Sequence, residues 1–174
     1  MKKIIILIVI LVGIISLTKR DSLTIPKEAI RFRVIANSDT KEDQDIKLEV
    51  KETVEQNLYS ALLKAENIDS ARSIITKNIP EIENTVNNTL LNNNFNYGSK
   101  VNFGNNYFPV KEFKGITYNQ GNYESLVITL GKGAGNNWWC VLFPPLCLLE
   151  AEESDTNEVE YQFFVKKLID KYMK

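Results

Sequence analysis

The sequence predicts an α+β fold: a mostly antiparallel sheet packed against two or three helices, preceded by an N-terminal hydrophobic signal or anchor helix. Three observations carry this. A strand-like run precedes two long stretches of helical period. After Asn94 the apolar period changes from about 3.6 to 2. An amphipathic stretch returns near the C-terminus.

The elements follow in order. Met1-Lys2-Lys3 leads into a run from Ile4 to Leu17 that is apolar but for Ser16, the pattern of a secretory n-region and h-region. The run is shorter than the ~20 residues of a standard spanning helix, and no small-x-small cleavage site stands out. It reads as a cleaved signal or an uncleaved anchor, with the anchor favoured. Residues 1–20 are assigned to that segment, 21–29 to a linker containing Pro26, and 30–174 to a single extracytoplasmic domain.

Ile30 to Ile35 alternates apolar and charged residues and reads as a strand. Asn37-Ser38-Asp39 ends it and opens a helix, with Ser38 or Asp39 as the cap and Glu42 completing a capping box. Ile46, Val50, Val54, Leu58, Ala61, Leu62 and Ala65 form the helix's apolar stripe, while Lys47, Glu49, Lys51, Glu52 and Glu55 fall elsewhere. A second helical pattern starts at Asp69-Ser70 and continues through Ile75, Ile79, Ile82, Val86 and Leu90; Pro80 predicts a break or kink near Asn78. Asn92 to Asn94 is a stop.

Tyr97, Ser99, Val101 and Phe103 then alternate as a strand, and Gly104-Asn105-Asn106 reads as a turn. Tyr107 to Tyr118 is extended, interrupted at Pro109. Tyr123 to Leu130 is a further strand. The loop carrying Gly131, Gly133 and Gly135 precedes the strand Trp138 to Phe143. An acidic linker, Glu152 to Asn157, leads to a last helix from Val159 to Tyr172, with Phe163, Phe164 and Leu168 on its apolar side.

Composition narrows the chemistry. The 174 residues include no histidine, 21 Lys+Arg and 22 Asp+Glu, for a formal net charge of -1. Ser-His and Cys-His nucleophile pairs and His-containing metal sites are excluded, and nothing global favours nucleic acid. The glycine loop lacks the helix a dinucleotide fingerprint opens and the Lys-Ser/Thr of a P-loop, so it reads as a tight or mobile loop. No metal and no cofactor is expected. Glu112, Glu124 and Glu150 keep open an extracytoplasmic cell-wall hydrolase using carboxylates.

Cys140 and Cys147 have no base beside them. In an exported chain they are expected to pair, against the alternative of two buried thiols. If Phe143-Pro144 forms the centre of a tight reversal, Leu142 meets Pro145, Val141 meets Leu146 and Cys140 meets Cys147, within disulfide reach. Pro144 at the second central position suits a type VI turn with a cis bond. Trp138, Trp139, Phe143, Pro144, Pro145 and Leu146, led by Asn137, are the densest aromatic and apolar cluster after the N-terminal run. They read as a partner-binding segment in which one tryptophan enters the core and the other meets the partner.

Two stretches resemble the stage II sporulation protein R family of endospore-forming bacteria. The first is Arg31 to Asp39 with Asp43-Gln44, and so includes Asn37 and Ser38. The second is Tyr123-Glu124-Ser125-Leu126 running into Gly131 through Cys147. Two departures are visible: Arg33 stands where the family's strand motif is expected to carry histidine, and Tyr118-Asn119-Gln120-Gly121 replaces a Leu-Pro-Ala-Gly-like turn. The resemblance implies a non-enzymatic signalling protein. It would be exported from the forespore to the intermembrane space, secreted or membrane-anchored. There it would activate a membrane-embedded aspartic protease of the mother cell at its extracytoplasmic face. That protease processes the pro-form of the early mother-cell sigma factor. A passive membrane-anchored assembly factor is the remaining alternative.

Overall fold

The computed structural model describes residues 23–147 and 157–173. The expected N-terminal helix and most of the acidic linker lie outside them. The main sheet has four strands in the order β3-β6-β2-β7: β2 (Ile30–Ile35), β3 (Ser99–Phe108), β6 (Gly121–Leu130) and β7 (Asn137–Phe143). A smaller sheet has the order β1-β5-β4, from β1 (Leu23–Thr24), β4 (Lys111–Phe113) and β5 (Ile116–Tyr118). Helices α1 (Lys41–Leu62) and α2 (Ile68–Asn92) follow β2, and α3 (Glu158–Tyr172) closes the described chain. The fold is α+β.

The sheets are mixed. β2 runs parallel to β6 and antiparallel to β7, and β1 runs parallel to β5. The cause is the helical hairpin. α1 leads away from the end of β2 and α2 returns, so β3 enters antiparallel and β6, paired with it, comes back alongside β2.

Alternation in β2 divides the molecule. Phe32 and Val34, both fully buried, face the helices. They meet Ile46, Val50, Val54, Leu58 and Leu62 of α1, spaced by four, and Ile75, Ile82, Val86 and Leu90 of α2. Leu126, Ile128 and Leu130 of β6 and Leu142 of β7 complete this core. On the far side a second cluster joins Ile25, Ala29, Ile116, Val141, Leu146, Tyr161 and Val165. The segment read as a linker therefore contributes a strand and two buried residues.

Several local expectations are corrected. Thr40, not Ser38 or Asp39, caps α1 and accepts from the Asp43 amide at 3.3 Å. α2 is capped by Asn67 in a reciprocal box with Ser70. Pro80 lies inside α2 without ending it. Its missing donor frees the carbonyl of Thr76, an exposed residue. Gly104 to Asn106 is no turn, because β3 stays in register with β6 from Ser99↔Leu130 to Phe108↔Gly121. There Asn106 Nδ2 donates to Ser125 Oγ at 2.9 Å.

α3 docks through Tyr161 and Val165, with Leu168 packed alongside; Phe163 is 66% exposed and does not belong to its apolar side. Tyr161 meets Phe113 edge-on at 5.7 Å, and Gln162 Nε2 donates to the Lys114 carbonyl at 3.2 Å. The last helix thus holds the turn between β4 and β5.

This assignment predicts a contrast on one helix. Tyr161→Ala should cost about 3–5 kcal/mol, as for a buried aromatic, while Phe163→Ser should stay within about 0.5 kcal/mol. Urea unfolding of both variants measures it.

Candidate partner-binding face

The face of the main sheet turned away from α1 and α2 carries the odd residues of β2. Arg31 and Arg33 project there because Phe32 and Val34 are committed to the core. Arg31 is only 2% exposed. Its Cζ lies 4.3 Å from the Tyr123 ring centroid and 5.3 Å from that of Tyr118. Arg33 Cζ lies 5.0 Å from Trp139 and 5.2 Å from Phe108. Phe108 in turn packs edge-on against Trp139 at 5.1 Å and Tyr123 at 6.1 Å. The result is a continuous stack of aromatic rings and two guanidinium groups.

Burial pushes both guanidinium groups below their usual values; for Arg31, Tyr123 and Tyr118 oppose the shift. The Nε and Nη2 atoms of Arg31 and the Nε of Arg33 are buried with no hydrogen-bond partner. Desolvated cation–π contacts contribute about 2 kcal/mol each. Each missing bond to a buried charged group costs about as much or more. The stacking therefore holds Arg31 in place without satisfying it.

Arg31 opens into a groove of about 280 Å3, walled by Phe108, Lys111, Phe113, Tyr118 and Trp139. Glu112 and Asn137 also line it. The tryptophans divide as alternation predicts. Trp138 packs on the main core, edge-on to Phe32 at 5.6 Å, under the Lys51 ammonium at 5.0 Å. Trp139 faces the groove. The rest of the expected binding segment does not reach the surface: Phe143, Pro144, Pro145 and Leu146 are all buried. These residues close the second cluster and the core instead.

The loop residues form a separate clasp. Asp43 is the hub. Its Oδ2 accepts from Asn37 Nδ2 at 2.9 Å and Ser38 Oγ at 2.5 Å, and its Oδ1 from the Tyr97 hydroxyl at 2.5 Å. Burial would raise this carboxyl, but the bonds from Ser38, Tyr97, Asn37 and Thr40 outweigh it and hold it below the usual range. Burial, reinforced by Asp43, pushes the Tyr97 hydroxyl up. The glycine loop docks on the same residues. Asn37 Oδ1 accepts from the Lys132 amide at 2.9 Å and Asp39 Oδ1 from the Asn136 amide at 2.6 Å. Gln44 Nε2 donates to the Ser38 carbonyl at 2.9 Å. Lys47 is buried and donates to Gln44 Oε1 and to the Asn136 carbonyl.

The glycines permit this approach. Gly131 and Gly133 have positive φ, and a Cβ on Gly135 would collide with the Ser38 carbonyl. The loop is a structural fastening. Tyr97 and Lys47 are the members that sequence reading missed; the helical spacing Asp43, Lys47 was the available signal.

Of the three carboxylates kept open for a hydrolase, Glu112 lines the groove. Glu124 is bound by Arg72 in a two-pronged pair at 2.7 and 2.8 Å, and Glu150 lies outside the described residues. Among the described residues no cluster of three or more His, Cys, Asp or Glu is placed to hold a metal.

The family profile described as Stage II sporulation protein R matches residues 26–153. The chain belongs to this family. Stage II sporulation protein R of Bacillus subtilis (strain 168) is 35% identical over 157 residues, covering 90% of this chain and 70% of that one. No solved structure matches the chain.

Both stretches that resemble the stage II sporulation protein R family are now placed. The first supplies β2 and half of the clasp, the second the other half, β7 and the reversal after it. Arg33, where the family motif is expected to carry histidine, is the guanidinium between Phe108 and Trp139. The Phe143–Pro144 bond is cis, as expected. No return strand follows it: among the described residues β7 pairs with β2 alone, so the ladder expected to align Cys140 with Cys147 does not form. Leu146 N instead bonds the Pro144 carbonyl at 2.7 Å. Both buried sulfurs approach one acceptor, the Val141 carbonyl, Cys147 at 3.0 Å and Cys140 at 3.7 Å.

The clasp predicts acid sensitivity. A carboxyl held below its unfolded value of about 3.9 contributes fully above that pH and loses its contribution as pH falls through the folded value. Asp43→Asn should therefore cost about 1–3 kcal/mol at pH 7. The difference from the parent chain should shrink as the pH falls below the unfolded value of about 3.9 and through the lower folded one. Urea titrations across pH measure this, and an unchanged gap would contradict it.

Proposed function

We propose that the chain is an exported sporulation signal. In this reading it is made in the forespore and delivered to the intermembrane space. There it switches on a membrane-embedded aspartic protease of the mother cell, and the early mother-cell sigma factor loses its pro-sequence. Membership of the stage II sporulation protein R family is the observation that carries the proposal. The Trp139–Arg33–Phe108 face supports it as a surface rich in the residue types that dominate binding energy.

The mechanism is a population shift. The protease has inactive and active arrangements, and the chain binds the active one better. Only that difference in affinity moves the equilibrium. Export also sets the redox state, so Cys140 and Cys147 pair in the delivered protein. Intact mass with and without reductant reads this, and two thiols open to alkylation in the unfolded, unreduced chain would remove the bridge.

Co-expression with the protease and its pro-sigma substrate tests the function. Processing should depend on the full chain. Trp139→Ala should leave the fold intact and abolish processing. Trp138→Ala should destabilise the fold by about 3–5 kcal/mol, because it removes a ring packed on the core. Processing unchanged in a chain carrying Trp139→Ala, or processing without the chain, would contradict the proposal.

A further inference from the structure

The groove beside Arg31 has unmet chemistry of two kinds. Arg31 is almost wholly buried, yet two of its nitrogens have no partner. They need an acceptor, best a carboxylate, whose two oxygens match the guanidinium fork. Asn137 Oδ1 is also buried without a partner and lines the same groove; it needs an N–H. In the paired strands Arg31 lies opposite Val141, and Asn137 lies opposite Ile35. The two residues are therefore four steps apart on one face, roughly 13 Å.

Size and lining narrow the occupant. At about 280 Å3 the groove falls at or below the roughly 300–1,000 Å3 of pockets that enclose drug-sized ligands. It suits one or two side chains. Phe108, Phe113 and Trp139 give it apolar walls, and Lys111 adds positive charge near its single acid, Glu112.

We propose that this groove binds a short extended segment of a partner protein that carries an acidic side chain and, two residues along on the same face, an apolar one. The carboxylate seats on Arg31, the apolar side chain packs between Phe108 and Trp139, and a backbone N–H about four residues along bonds Asn137. A simple carboxylate ion would meet only the first demand, whereas a polypeptide meets all three. The proposal deepens the signalling reading by giving the chemistry of the contact, and it rests on that reading only for the partner's identity.

The test uses the full-length chain in detergent and three probes. One is a capped five-residue peptide, glutamate–threonine–valine–threonine–threonine; the second replaces glutamate by glutamine; the third is acetate. Isothermal titration and the tryptophan indole N–H resonances report binding. The glutamate peptide should bind and shift the Trp139 resonance, and the glutamine peptide should bind about ten- to a hundredfold more weakly. Acetate should not displace the peptide at equal concentration. Arg31→Met should erase the preference for glutamate over glutamine. Should that variant fail to fold, Asn137→Ala should weaken both peptides while keeping the preference.

Equal binding of the two peptides, no binding at millimolar concentration, or binding of acetate as strong as of the peptide would overturn the proposal. So would a chain whose self-association buries Trp139, since the groove would then belong to a second copy. Loss of processing in cells with peptide binding intact would sink the signalling reading alone. Equal peptide binding with processing intact would sink only this one.

Discussion

The strand β2 is paired on both sides and buried on both faces, and the rest of the molecule is arranged around it. A period of two forces a choice at each residue. Phe32 and Val34 commit one face to the helical core, and Arg31 and Arg33 are carried to the other whatever that costs. The cost is large, because a guanidinium leaves water with some of its donors unanswered. Tyr118, Tyr123, Phe108 and Trp139 lessen it by stacking. A register slip of one residue would drive the arginines into the core and expose Phe32, so β6 and β7 must pair as they do.

Much of this was legible in residue order. The alternation in Ile30 to Ile35, the four-residue spacing of α1 and the change of period after Asn94 fix the elements. The opposite facing of Trp138 and Trp139 follows from the same period. What was not legible depends on distant partners. Ser38 and Asp39 look like caps by type, but Asp43 and the Asn136 amide claim them, and Thr40 takes the role. Lys47 and Glu55 look solvated by charge and are buried by contacts from other elements. Gly104 to Asn106 has turn chemistry and is overruled by a long ladder. Phe143 to Leu146 reads as a sticky surface, and burial consumes it. The groove itself could not be read, since its second wall comes from the smaller sheet.

The clasp shows how a motif with a ligand-like look can be spent on folding. Asn37, Ser38, Asp39, Asp43 and Gln44 offer polar groups in the density of a binding site. Most of those groups are answered by the chain itself, through Tyr97 and the amides of the glycine loop. Arg31 and Asn137 differ in that Nε and Nη2 of the one and Oδ1 of the other are buried without a hydrogen-bond partner. Unmet demand, more than polarity, separates the candidate site from the scaffold.

The hold of α3 on the turn between β4 and β5 has a thermodynamic corollary. Phe113 belongs to the groove wall and to the Tyr161 contact at once. An occupant that favours the wall as the docked helix sets it would stabilise that docking by the same free energy, and a loosened helix would weaken such an occupant equally. The helix α3, far along the chain from either arginine, would thereby act as a remote setting for any occupant of the face they build.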